Sequence, residues 1–409
     1  MDGAQYSYDA AGNRLSKTDK LTNIVSNYAY DPLYELTTVT QGPNTTESYS
    51  YDAVGNRLSS LNVPSYTYNA SNELTAQTGV TDAYDNNGNT TSKTDSTGTT
   101  TYSWDFEDRL TSVTLPGSGG TVSFKYDPFG RRIYKSSSAG TSIYAYDEDN
   151  LIEETNASGT VVARYSQGGD FDEPLAMLRS GTTSYYEADG LDSITSLSNT
   201  AGALAQTYTF DSFGKLTASS GSLTNPFRFT ARDFDTETNL QFSRARYYDP
   251  KVGRFLSEDP LGIRDNLNMY AYVHNNAVNL DDPFGLYTLK GFPADLAAQL
   301  SNAIDDAIAK LRSTCLACAG SEGPGIANAL QGATFVYHPK SKYCGDVGPF
   351  SALRLRHVIA LGPSAFNDPA GCGPLTCTVA HEGVHLRTHR EPHTEDVVRK
   401  CFSGFGCSR

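Results

Sequence analysis

Apolar and polar positions follow two rhythms along the 409 residues. Up to residue 220 an aromatic side chain returns roughly every 20 residues, a spacing typical of strand-turn-strand repeats. The stretches between are rich in Thr, Ser, Tyr and Val, which suit a pleated, half-buried surface. Each aromatic is followed by a turn signal. The clearest are Tyr8-Asp9-Ala10-Ala11-Gly12-Asn13-Arg14-Leu15 and Tyr51-Asp52-Ala53-Val54-Gly55-Asn56-Arg57-Leu58. Weaker copies stand at Tyr30-Asp31, Tyr68-Asn69, Tyr84-Asp85, Trp104-Asp105, Tyr126-Asp127, Tyr146-Asp147 and Phe210-Asp211. The aromatic ends a strand and Asp opens a turn by bonding the backbone just ahead. Gly or Asn then takes a positive φ, and Arg-Leu starts the returning strand. The pattern predicts a long antiparallel hairpin ribbon whose regular aromatics provide core material.

After residue 287 the rhythm changes. Leu296, Leu300, Ile304, Ile308 and Leu311 fall at helical spacing, which predicts an amphipathic helix over 292–312. Strands are expected at 334–337 and 357–361, and Pro374 suits the first turn of a second helix running to about Arg390.

Composition sharpens this division. All seven cysteines and six of the seven histidines lie beyond Leu286. Residues 1–286 carry a net charge of −16 and the remainder +2, together the −14 of the chain. Neither part has the clustered Lys and Arg that phosphate contacts need, which argues against a nucleic-acid binder. No apolar run is long enough for a membrane span. The first residues have neither the basic nor the apolar region of a signal peptide, so export would need a carrier or upstream sequence.

His381-Glu382-Gly383-Val384-His385 carries the chemistry of the second part. Histidines four apart share a helix face and can hold one metal ion, and Glu382 between them is placed to act as general base on a metal-bound water. This is the H-E-x-x-H pattern of zinc peptidases. A catalytic zinc keeps three protein ligands and an open position. Pro392 should break the helix, leaving His389, Glu391, His393 and Glu395 as candidates for the third ligand. The cysteines suit disulfides such as Cys372 with Cys377 and Cys401 with Cys407, or zinc binding by Cys315 and Cys318.

The turn repeats resemble the YD repeats of the Rhs family. The resemblance strengthens over 227–286, through Phe229-Thr230-Ala231-Arg232-Asp233, Arg246-Tyr247-Tyr248-Asp249-Pro250, Glu258-Asp259-Pro260-Leu261-Gly262 and the closing Asp281-Asp282-Pro283-Phe284-Gly285-Leu286. It implies a spiralling β-sheet carrier that cuts itself from a variable C-terminal toxin after the leucine. The cut would then fall between Leu286 and Tyr287. Asp233 and Asp259 are carried over as the catalytic pair with Arg232 beside them, and Asp282 stands in the closing motif. Two carboxylates at one site can divide the roles of base and acid. Each Asp-Pro by itself is also an ordinary turn. About 290 residues is short for such a carrier, implying a partial shell or open curved sheet. The tail resembles small zincin-like peptidases, which implies zinc on His381 and His385, with Glu395 as a gluzincin-type third ligand and Glu382 as base.

The expectation is a multi-domain chain. A mainly antiparallel β YD-repeat ribbon or partial shell (1–220) is followed by a core end with a self-cleavage motif (221–286) and a small α+β zincin-like domain (287–409). Its expected role is that of a secreted or cell-surface toxin delivered to a target cell, where its zinc metallopeptidase cuts a protein substrate. A cognate immunity protein and a secretion apparatus or carrier are the expected partners. Two alternatives stay open: a carbohydrate- or protein-binding surface protein with a structural zinc, and a metal-dependent nuclease toxin.

Overall fold

The computed structural model describes residues 3–20, 22–168, 172–260 and 267–286. Further along it describes 289–290, 303–304, 334–337, 345–346, 358–361 and 379. The chain divides into two units, Met1–Asp259 with Asn268–Gly285, and Pro260–Leu267 with Leu286–Arg409.

The first unit is built from the repeated turn. At Asp52, one carboxylate oxygen accepts the backbone N–H groups of Val54 (3.0 Å) and Asn56 (2.9 Å), and Gly55 takes φ 80°. Asp9, Asp31, Asp85, Asp105, Asp127 and Asp211 do the same two and four residues ahead. Asp147 departs from the expected copy. There a two-residue hairpin pairs Asp147 with Asn150. Asp189, Asn156 and Asn199 form the same side-chain-capped turn without an obvious preceding motif in the sequence.

A register shift just before the aromatic pairs Tyr30 with Leu36, Tyr51 with Arg57, Trp104 with Leu110 and Tyr126 with Arg132. The residue five after the turn aspartate therefore faces inward. In the two copies that read Asn-Arg-Leu this inverts the simplest hydropathy reading. Arg14 and Arg57 are 4% and 7% exposed, whereas Leu15 and Leu58 are 44% and 43% exposed. The buried guanidinium of Arg57 lies 4.5 Å from the Tyr49 ring centroid and 4.3 Å from that of Phe213, so aromatic faces replace part of the lost hydration.

The next aromatic in sequence then reaches back. The Tyr30 hydroxyl donates to the Arg14 carbonyl (2.6 Å), Tyr51 to Leu36 (2.9 Å), Tyr68 to Arg57 (2.9 Å), Tyr126 to Leu110 (2.6 Å) and Tyr146 to Arg132 (2.9 Å). Trp104 bonds the Thr90 carbonyl through its indole N–H (2.7 Å). Each repeat is stapled to the one before.

Strands pair with their sequence neighbours throughout, giving a six-stranded and a sixteen-stranded antiparallel sheet in strict chain order. The ribbon returns on itself. Lys17 pairs with Asp189 (2.7 Å), the Tyr6 hydroxyl accepts the Gly190 N–H (2.9 Å), and Glu47 accepts the Ser212 N–H (3.1 Å).

Its inner face holds the segment after the repeats, organised around the four-stranded sheet Asp233–Asp235, Leu240–Ser243, Arg246–Asp249 and Arg254–Phe255. Phe242 and Tyr247 pack with Leu110, Val113 and Phe124, while Tyr248, Phe255 and Tyr272 pack with Leu36 and Val39. Polar contacts index this inner segment to successive turns. Asn279 accepts the Arg14 N–H (2.6 Å), Asn275 donates to the Gly55 carbonyl (2.8 Å), Tyr270 to Gly88 (2.8 Å), and Asp235 pairs with Arg132 (2.5 Å).

In the second unit, Leu289–Lys290, Thr334–Tyr337 and Val358–Leu361 form parallel pairs, and Gly345–Asp346 adds an antiparallel strand. Both expected strands are present. Of the expected helices, Ala303, Ile304 and Val379 are helical and buried. The rest of both helices lies outside the described residues.

Arg132 and Asp235 are 2% and 1% exposed at their side chains, and Lys135 also reaches Asp235 (3.1 Å), so removing Asp235 takes a carboxylate from two cations at the core. Replacing Asp235 by Ala should destabilise the first unit by about 3–5 kcal/mol in urea unfolding. A loss below about 1 kcal/mol would mean that Arg132 is balanced elsewhere.

Candidate functional site

The candidate cleavage segment is held from the tight turn that joins Leu240–Ser243 to Arg246–Asp249. Ser243 pairs with Arg246 across this turn, and Arg244 sits at φ 49°, an unfavourable region for a residue with a Cβ. Three consecutive carbonyls of the closing motif dock there. The Pro283 carbonyl accepts from Arg244 Nη1 (2.6 Å) and Arg232 Nη1 (3.2 Å), that of Phe284 from the Ala245 N–H (3.1 Å), and that of Gly285 from Arg246 Nε (2.6 Å). Gly285 has φ 68°, and a Cβ there would meet the Ser243 carbonyl oxygen at 2.5 Å. The close approach therefore requires glycine. Pro283, Phe284 and Gly285 are all buried, and Leu286 is half-buried.

Arg246 also gathers carboxylates. Its Nη2 lies 3.0 Å from Asp259 Oδ2 and 3.3 Å from Asp282 Oδ2, and its Nη1 donates to the Met269 carbonyl (3.1 Å). The guanidinium stacks 3.6 Å from the Phe255 ring centroid, which fixes its plane. The Arg246 guanidinium thus contacts two carboxylates and the carbonyl of the residue before Leu286.

Sequence reasoning paired Asp233 with Asp259. The structure groups Asp259 with Asp282 on Arg246, and places Asp233 3.9 Å from Arg132 Nη2, on the strand that also carries Asp235. Arg232 donates to the Pro283 carbonyl and also contacts Asp172. Asp172 binds Arg244 through both oxygens (2.9 and 3.0 Å). Arg232, Asp233, Arg244 and Asp172, with Tyr146 and Gln167, help line a cavity of about 20 Å³, room for a single water. Burial pushes the Arg232 guanidinium well down from its ordinary value, and the like charge of Arg244 adds to this.

Sequence reasoning gave no role to Arg246, Arg244 or Asp172. Arg246 opens Arg-Tyr-Tyr-Asp-Pro, a motif already singled out, but only tertiary structure shows which carbonyl and carboxylates it meets. Tyr287 lies outside the described residues. So do His381, Glu382, His385, Glu395, the other third-ligand candidates and all seven cysteines.

Asp281 adds a titrating group. Burial, with Asp192 and then Asp282 as neighbouring negative charges, pushes its carboxyl up from 3.8 to about 7. A carboxyl raised in the folded state favours folding relative to its ionised form at low pH. That advantage is lost as pH rises from about 4 to about 7. Asp281→Asn should therefore raise the melting temperature at pH 8 and leave it unchanged at pH 4, compared between chains of the same cleavage state. Equal melting at pH 8 would refute the burial penalty.

Residues 4–288 match the Teneurin YD-shell family. Among curated proteins, the chain is 34% identical over 281 residues to the tRNA3(Ser)-specific nuclease WapA of Bacillus spizizenii, covering 66% of this chain and 12% of that one. It is 32% identical over 107 residues to double-stranded DNA deaminase toxin A of Burkholderia cenocepacia, covering 25% of this chain and 7% of that one. It is 44% identical over 61 residues to toxin protein Tse5 of Pseudomonas aeruginosa, covering 15% and 5% respectively. The chain thus spans about an eighth of the length of the WapA relative. The crystal structure of TcdB2-TccC3-Cdc42 is similar at 19% identity and a TM-score of 0.39, over 69% of this chain and 19% of that one.

Proposed function

The chain belongs to the Teneurin YD-shell family, and from that premise we propose that it is a toxin of the Rhs type, whose β-ribbon carries a C-terminal zinc metallopeptidase and releases it by cutting after Leu286. The observation that supports release is the cradle: the three carbonyls before Leu286 are each held, beside a carboxylate pair on one guanidinium.

The self-cleavage reading assigns the acting roles to two carboxylates among Asp233, Asp259 and Asp282, with Arg232 beside them. One carboxylate removes a proton from water as its oxygen bonds to the Leu286 carbonyl carbon. The other, protonated, gives its proton to the Tyr287 nitrogen as the C–N bond breaks. The products are a new carboxylate on Leu286 and a new amine on Tyr287. Asp233 and Arg232 line the neighbouring water-sized cavity.

For the released part, the reading rests on the His381-Glu382-Gly383-Val384-His385 motif. His381, His385 and a third ligand, Glu395 in this proposal, would hold zinc. When bound, zinc supplies a water acidic enough to lose its proton near neutral pH. Glu382 would be the base that accepts that proton. A cognate immunity protein in the producer, a secretion apparatus or carrier, and delivery outside the producing cell complete the proposal.

The names of the relatives favour a second reading, a nuclease or nucleobase-modifying tail, since those proteins are a tRNA nuclease and a DNA deaminase. The family match ends at residue 288, so the tail's chemistry rests on its own residues.

Two experiments test these readings. Expressed full-length chain should run as two pieces, with Tyr287 as the new N-terminus by sequencing, and Asp282→Asn should run as one. A wild-type chain that stays intact would refute self-cleavage. The purified protein should bind zinc and digest casein but neither tRNA nor double-stranded DNA, and Glu382→Gln should retain zinc while losing casein digestion. Cleavage or deamination of nucleic acid, with casein untouched, would overturn the peptidase in favour of the second reading.

A further inference from the structure

Lys93, on the ribbon strand Thr90–Asp95, reaches the inner four-stranded sheet and meets Asp249, with Nζ 2.5 Å from Oδ2. The two residues are 156 positions apart in the chain, and their side chains are 20% and 9% exposed. The other oxygen of Asp249 accepts the Lys251 N–H (2.9 Å), which holds the carboxyl group in one orientation. Directly across the ladder from Lys93 stands Asp82. Both of its carboxylate oxygens are buried, and neither accepts a hydrogen bond among the described residues. A buried carboxylate without a donor costs folding energy that packing alone does not explain. Burial pushes Asp82 up from 3.8 to about 6, with the charge of Lys93 opposing, that of Asp249 adding and that of Arg254 opposing.

An amine, a carboxyl group held against it and a second, unengaged carboxyl group are what condensation between two side chains requires. We propose that Lys93 and Asp249 join in an isopeptide bond, with Asp82 as the group that moves the proton. Lys93 begins as an ammonium. Burial alone would push it down, but the charge of Asp249 more than offsets this, aided by Tyr102 and Asp82. Asp82 takes one proton from Nζ, and the freed amine bonds to Cγ of Asp249. One Cγ–O bond then breaks and its oxygen leaves as water. Of the three ammonium protons, one stays on the amide nitrogen and two depart with the oxygen, one of them returned by Asp82. No oxidant, reductant or cofactor takes part. Two buried charges become one neutral amide, which removes the desolvation cost of the pair. Taking the proton from a paired ammonium is the slow step, and the bond needs to form only once in each chain. The product fastens the ribbon to its inner sheet covalently, whether or not the chain is cut after Leu286.

Mass spectrometry of the whole folded protein tests this. Purified chain, incubated folded at neutral pH, would be denatured and digested with trypsin. The segments containing Lys93 and Asp249 should emerge as one branched peptide, lighter than their sum by one water and uncut after Lys93. Fragmentation should place the bond at those two side chains. On a denaturing gel the looped chain should run ahead of Lys93→Arg, whose guanidinium stays protonated and cannot attack. Asp82→Asn should fold, having no hydrogen bond to lose, and should give the two segments separately. Thermal unfolding reports whether each variant is folded.

Segments recovered separately from the wild-type chain would mean an ion pair only and would overturn the proposal. So would a bond from Lys93 to Asp82. A folded Asp82→Asn chain linked as fully as wild type would refute the part given to Asp82. If that variant fails to fold, Asp82→Ala is read in its place, and the wild-type digest decides the bond in either case.

Discussion

The turn opened by Asp or Asn is the constraint on which the first unit depends. Its carboxylate or amide oxygen accepts two backbone N–H groups, two and four residues ahead, and so satisfies donors that the hairpin ladder leaves unpaired. That geometry fixes the register shift at the preceding aromatic and turns the fifth residue inward. Once that residue is buried, its carbonyl needs a donor. The hydroxyl of the next tyrosine provides it. Turn, inward residue and staple form one unit, and repeating it carries order along the ribbon without any contact between distant residues.

Local order of this kind does not close a ribbon. The inner segment does so by meeting successive turns with one polar residue each: Asn279 at Arg14, Asn275 at Gly55, Tyr270 at Gly88 and Asp235 at Arg132. At Arg132 this pairing is also ionic, because a guanidinium out of water is balanced where aromatic faces and a carboxylate meet it. Arg132 lies between Phe124 and Phe242 and ends on Asp235. The inner segment is thus both the core of the first unit and the gauge that sets where each turn lies.

The candidate site grows from the end of that gauge. The Ser243–Arg246 turn puts Arg244 in a strained conformation, and that strain aims Arg244, the Ala245 N–H and Arg246 at three consecutive carbonyls. The approach needs Gly285, since a Cβ would strike the Ser243 carbonyl. The closing motif therefore works as a docked strand, and its Asp-Pro is more than a turn signal. Its position next to Asp259 follows from docking rather than from sequence proximity: Asp259 lies 23 positions before Asp282.

The sequence by itself determined the repeat. Tyr-Asp followed by Gly or Asn is local hydrogen-bond chemistry, so hairpin, turn and strand direction could be read from residues a few positions apart, as could the two strands at 334–337 and 358–361. It also marked the aspartates and glycine of the closing motif. Tertiary structure decided which face each repeat shows. Hydropathy would bury Leu15 and Leu58, whereas the register buries Arg14 and Arg57, because their aromatic and polar partners lie on the inner face. It also decided the grouping of carboxylates. Asp259 and Asp282 share Arg246, and Asp233 faces Arg132, because the four-stranded sheet places Arg246 and Asp233 on different strands. No periodicity could supply that, since the partners of a buried charge are chosen by the packing of segments far apart in the chain.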